Sequence, residues 1–92
     1  MEQVTLIIHG RVQMVRFRDF VKKTADTLGV VGDVSNQPDG TVLIHAWSSK
    51  ATLGDFITKL SSGSPLSRVD KVDQIWDNIT YEMEELAFKI IR

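Results

Sequence analysis

The chain has 92 residues, with 11 Lys and Arg against 12 Asp and Glu, a net charge of −1 and no cysteine. That length suits one domain over residues 1–92, and the missing thiols exclude disulfides, thiolate metal centres and cysteine nucleophiles. A charge this close to zero argues against a general nucleic-acid binder. No apolar run is long enough to span a bilayer and no charged leader is evident, so the expected location is the cytoplasm, away from membranes.

In chain order, Val4-Thr5-Leu6-Ile7-Ile8-His9 is rich in β-branched and apolar residues and predicts a central strand that stops at Gly10. From Phe17 the apolar period changes to three and four. Phe17, Phe20, Val21, Thr24 and Leu28 then share one face of a helix that ends at Gly29. Residues 30–36 and 41–47 predict two strands of a hairpin joined by the turn Gln37-Pro38-Asp39-Gly40. Ser48 or Ser49 is placed to cap a second helix, whose stripe is Leu53, Phe56, Ile57 and Leu60 and which closes in the run Ser61 to Pro65. Val69, Val72, Ile75 and Trp76 mark a fourth strand with imperfect alternation. Residues 77–85 read as a polar loop and residues 86–91 as a short last strand. The order β-α-β-β-α-β plus a short C-terminal strand predicts an α+β, ferredoxin-like sandwich with two helices on one face of an antiparallel or mixed sheet.

The junction Gly10-Arg11-Val12-Gln13-Met14-Val15-Arg16-Phe17-Arg18 is where chemistry is expected. A short strand-to-helix turn aims backbone N–H groups and the positive end of the helix dipole outward, which suits an anion. Arg18 would be a cation against that positive end, a placement easier to explain if an anion lies between them. A plain connection that only closes the fold is the competing reading. Asn36, at the end of the second strand, is on its own residues best read as a turn residue. Its other reading is an amide holding a water or a substrate oxygen, since the outer strands flanking the first would bring it near the loop. His9 and His45 lack partners at ligand spacing, and the serines near Pro65 lack a readable base, so neither a metal site nor a serine nucleophile is expected. Arg11, Arg16, Lys22, Lys23, Glu82, Glu84 and Glu85 read as solvated surface. Trp47 and Trp76 read as core or strand-packing residues, and Tyr81 as part of the polar loop.

Two segments, Gly10 to Arg18 and Gly32-Asp33-Val34-Ser35-Asn36 with Gly40-Thr41-Val42, resemble the paired motifs of the acylphosphatase family. Ser62 to Pro65, Arg68-Val69-Asp70, Phe88 and Ile90 add to the likeness. The resemblance implies hydrolysis of the carboxyl–phosphate bond of a small-molecule acyl phosphate, with no metal, no cofactor and no covalent intermediate. By matched position, Arg18 would bind the phosphoryl group and Asn36 would hold the attacking water. The backbone amides of Gln13, Met14, Val15, Arg16 and Phe17 would cradle the phosphoryl oxygens, a site equally suited to a phosphate or sulfate anion. The protein is expected to be a monomer, and its charge and hydropathy predict no nucleic-acid or membrane partner. The chain departs from the pattern at Met14, where the family has glycine, and at Asp33, where it often has tryptophan. The alternative is a catalytically weak or inactive module that binds a phosphate-bearing ligand or a protein on the same fold.

Overall fold

The computed structural model describes residues 1–78 and 87–91. The elements are β1 (Glu2–Arg11), α1 (Phe17–Leu28), β2 (Val31–Asn36), β3 (Val42–Ser48), α2 (Lys50–Ser62), β4 (Arg68–Asn78) and β5 (Phe88–Ile91). They form a ferredoxin-like sandwich with a fifth strand added. The sheet order is β4-β1-β3-β2-β5, with β2 and β5 parallel and the other neighbours antiparallel.

The alternation in β1 sets the layers. Val4, Leu6 and Ile8 are fully buried on the helix side, and their partners Ala46, Ile44 and Val42 on β3 are buried with them. Each of the Val, Leu and Ile side chains among them contributes about 1.5–3 kcal/mol by leaving water. α1 covers the β2–β5 half through Phe17, Val21 and Ala25. α2 covers the β3–β4 half through Leu53, Phe56, Ile57 and Leu60. Phe56 meets Phe88 of β5 edge to face at 6.0 Å.

Several boundaries differ from the sequence expectations. β1 does not stop at Gly10. It runs on to Arg11 past a register shift between His9 and Gly10. Gly10 has φ 132°, and a Cβ there would meet the Arg68 backbone carbonyl, so only glycine lets β4 keep pairing across the shift. Asp77 and Asn78 belong to β4 rather than to a loop, while residues 79–86, including Tyr81, Glu82, Glu84, Glu85 and Leu86, lie outside the described residues. Trp76 is not a core residue. It is 38% exposed on the edge strand β4, and its indole N–H donates to Gln74 Oε1 at 3.0 Å. Ser61 and Ser62 belong to the last turn of α2.

The open face of the sheet explains Asp33. Its cross-strand partner is His45, and His45 Nδ1 and Asp33 Oδ1 are 2.8 Å apart. His9 likewise meets Asp73 at 2.9 Å, and that hydrogen bond holds the Asp73 carboxyl below its ordinary value. Both histidines are thus strand residues paired with carboxylates.

Gly32, on β2, has φ 142°, and a Cβ would run into the His45 backbone carbonyl of β3, whereas Gly54 in α2 has open space around it. Gly32→Ala should therefore cost about 1–3 kcal/mol. Gly54→Ala should stabilise by about 0.5–1 kcal/mol. Urea midpoints at unchanged slope measure both.

Candidate functional site

The connection from β1 to α1 is pinned at both ends. Val12 is 2% exposed and Phe17 1% exposed, so residues 13–16 alone must turn the chain from strand to helix. They do so with two left-handed residues, Met14 and Arg16, both at φ 62°. That region costs a residue with a Cβ about 1–2 kcal/mol. Val15, between them, packs on the core, while Met14 is 99% exposed. Left-handed residues alternating along a turn favour backbone N–H groups gathered on one side, the arrangement of an anion nest.

α1 begins directly after Arg16, and no side chain caps it. Its first-turn amides therefore have neither an intrahelical acceptor nor a capping oxygen, and they carry the positive end of the dipole. Arg18 sits in that first turn beside Asp19. Neither Arg16 nor Arg18 has an ion-pair partner among the described residues. Two guanidiniums against the single carboxylate of Asp19, at an uncapped helix start, form a locally positive pocket on a chain of net charge −1.

A cleft of about 260 Å³ opens at this point, lined by Val12, Met14, Arg16, Phe17, Arg18, Asp19, Asn36 and Ile90. Arg18 and Asn36 thus share one cavity, although β3 separates β2 from β1 and Asn36 is no neighbour of the first strand. The Asn36 amide oxygen is buried and has no hydrogen-bond partner among the described residues. A buried acceptor without a partner costs about 1–3 kcal/mol, a cost that a donor reaching Asn36 would relieve.

Of the expected cradle residues, Met14, Arg16 and Phe17 border the cleft, whereas Val15 faces the core and Gln13 turns away. The Gln13 side-chain amide donates to the backbone carbonyls of Gln37 and Thr41, each at 2.8 Å. The turn it reaches is itself braced. Asp39 accepts from the Thr41 hydroxyl at 2.6 Å and the Thr41 amide at 3.0 Å, and these bonds hold its carboxyl below the ordinary value. Asp19 and Ile90 also line the cleft, Ile90 having entered from the sequence only as part of the family likeness and with no site role. For Ile90 the two-residue spacing from buried Phe88 was the available signal, but the parallel pairing of β5 with β2 was needed to place it. Among the described residues no three His, Asp or Glu side chains group as metal ligands.

The family model described as Acylphosphatase matches residues 4–90. The chain belongs to the acylphosphatase family. An acylphosphatase of Enterococcus faecalis is 42% identical with both chains covered in full, and one of Leuconostoc mesenteroides is 47% identical over 97% of this chain and 99% of its own. The crystal structure of the Bacillus subtilis acylphosphatase, 34% identical, superposes over the whole of both chains with a TM-score of 0.92. Against the acylphosphatase pattern, Met14 keeps the loop in the conformation that glycine would adopt without strain, and its exposed side chain returns no packing. Met14→Gly should accordingly raise stability by up to about 1 kcal/mol, a rise of a few degrees in Tm by calorimetry.

Proposed function

We propose that this cleft hydrolyses acyl phosphates, with Arg18 binding the phosphoryl group and Asn36 holding the attacking water. The observation that carries the reading is the meeting of Arg18, which has no ion-pair partner among the described residues, with Asn36 in one cavity at an uncapped helix start. Membership of the acylphosphatase family supplies the substrate class.

The chemistry needs little covalent help from the protein. Water oxygen attacks phosphorus as the bond from phosphorus to the acyl oxygen breaks. The acyl group leaves as a carboxylate, and the proton released by water passes to a phosphoryl oxygen of the substrate itself. No side chain has to serve as a strong base. The protein's part is to position water and phosphoryl group and to offset the charge on the equatorial oxygens. In this reading Arg18 supplies a charge-assisted fork, and the amides of residues 13–17 supply fixed donors. Asn36 accepts a proton of the water and so aims its oxygen lone pair at phosphorus. Arg16 adds a second positive charge at the rim.

The same reading makes the loop a site for inorganic phosphate, and the protein a cytoplasmic monomer working on a small substrate without a metal. No helix among the described residues is long and apolar enough to cross a membrane.

Benzoyl phosphate hydrolysis tests the assignment. Arg18→Ala should lose about 2–5 kcal/mol of transition-state binding, at least about 30-fold in kcat/KM. Equal turnover by this variant and the parent would refute the role of Arg18. Asn36→Ala should lower kcat far more than it raises KM, because water orientation matters in the transition state. A change confined to KM would refute the water-holding role. Chelator should leave the parent's rate unchanged.

A further inference from the structure

Arg18 and Asn36 come from segments separated by β3, and one side chain joins those segments directly. Gln13, in the loop before α1, donates through Nε2 to the carbonyls of Gln37 and Thr41 at 2.8 Å each. Those two carbonyls are the ones that close the turn after Asn36. Gln37 N–H donates to the Thr41 carbonyl at 2.9 Å, and Gly40 N–H donates to the Gln37 carbonyl at 3.1 Å. A carbonyl oxygen has two lone pairs and an amide nitrogen two N–H bonds. Each carbonyl therefore gives one lone pair to the turn and the other to Gln13, and donors and acceptors match one to one.

We infer that Gln13 is a positioning residue: its side chain ties the loop that presents Arg18 to the turn that presents Asn36, and so fixes their separation. This rests on the reading of Arg18 and Asn36 given above. The Gln13 side chain is not among the groups lining the cleft, so it acts through the turn and Asn36 rather than on the phosphoryl group. The residue type follows from the acceptors. Glu has the same length but offers two carboxylate oxygens to two carbonyls. Asn is one methylene short. Without the tie the turn keeps its own two bonds and its Asp39 brace, so the fold persists while loop and turn shift against each other. A misplacement of about 1 Å in an oriented reaction costs as much as about 100-fold in rate.

The test is a set of kinetic constants for benzoyl phosphate, with inhibition constants for inorganic phosphate. It uses the parent, Gln13→Ala, Gln13→Glu, Asn36→Ala and the double variant of Gln13→Ala with Asn36→Ala. Gln13→Asn takes the place of Gln13→Ala if the latter's urea midpoint shows that it does not fold. Gln13→Ala and Gln13→Glu should lower kcat about 10- to 100-fold, while KM and phosphate inhibition stay within about 3-fold. Adding Gln13→Ala to Asn36→Ala should cost nothing further, because the water that Gln13 helps to aim is already lost. Equal factors in both backgrounds, or a loss seen in phosphate inhibition instead of kcat, would overturn the role of Gln13 while leaving the hydrolysis itself standing. A parent that does not turn over benzoyl phosphate would overturn the reading of the site on which it rests.

Discussion

The shortness of the link between two buried side chains governs this structure. Val12 ends the run of core residues that begins in β1, and Phe17 opens the buried face of α1, so the chain has only residues 13–16 in which to turn. Burial of the two anchors is worth several kcal/mol, which exceeds the strain of two left-handed residues. Packing therefore dictates the loop conformation, and Met14 and Arg16 conform to it. The same economy leaves no residue to spare for a helix cap, so the first-turn amides of α1 remain open. A site for an anion is in this sense a by-product of how tightly the core holds both ends of the turn.

Charge follows the same logic. A cation in the first helical turn opposes the dipole by about 0.3–1 kcal/mol. Arg18 stands there without an acidic partner among the described residues, although acids outnumber bases in the chain as a whole. Elsewhere cations and carboxylates do pair, as Lys22 does with Asp26 and Arg68 with Asp70. Arg11, Lys23, Lys50 and Lys59 also have no ion pair among the described residues, so what marks the cleft is two such cations placed together at an uncapped helix start.

What was legible in the sequence were the elements whose periodicity reflects burial on one face. β1, α1, the hairpin and α2 all declare themselves in this way, and Ser49 does cap α2 as its type suggests. β4 is less legible because it is an edge strand exposed over most of its length, so Ile75 and Trp76 sit in solvent and break the alternation. Ala25 escaped notice because a small residue carries little pattern, yet it is fully buried in α1. In the site, Gly10 to Arg18 could be read as an anion loop from local chemistry. The sign of φ at Met14 could not, since it follows from the anchoring of Val12 and Phe17. The turn of the Gln13 side chain toward Gln37 and Thr41 was equally hidden, because it depends on where β2 and β3 bring their connection in space. Asn36 needed the family resemblance to be lifted above an ordinary turn residue, and the cleft then gave it a neighbourhood.

The place of β5 bears on how the protein comes into being. β5 pairs parallel with β2 at the edge of the sheet farthest from β4, and it contributes both Phe88 to the core and Ile90 to the cleft wall. A ribosome delivers residues 10–18 and Asn36 well before residue 88. Parallel pairing between such distant segments is among the slow steps of folding. A nascent chain can thus hold the loop, Arg18 and Asn36 while the cleft still lacks one wall and α1 one of its core partners. The cleft wall that Ile90 forms exists only once residues 88–91 have been made and paired with β2, well after Arg18 and Asn36 are in the chain.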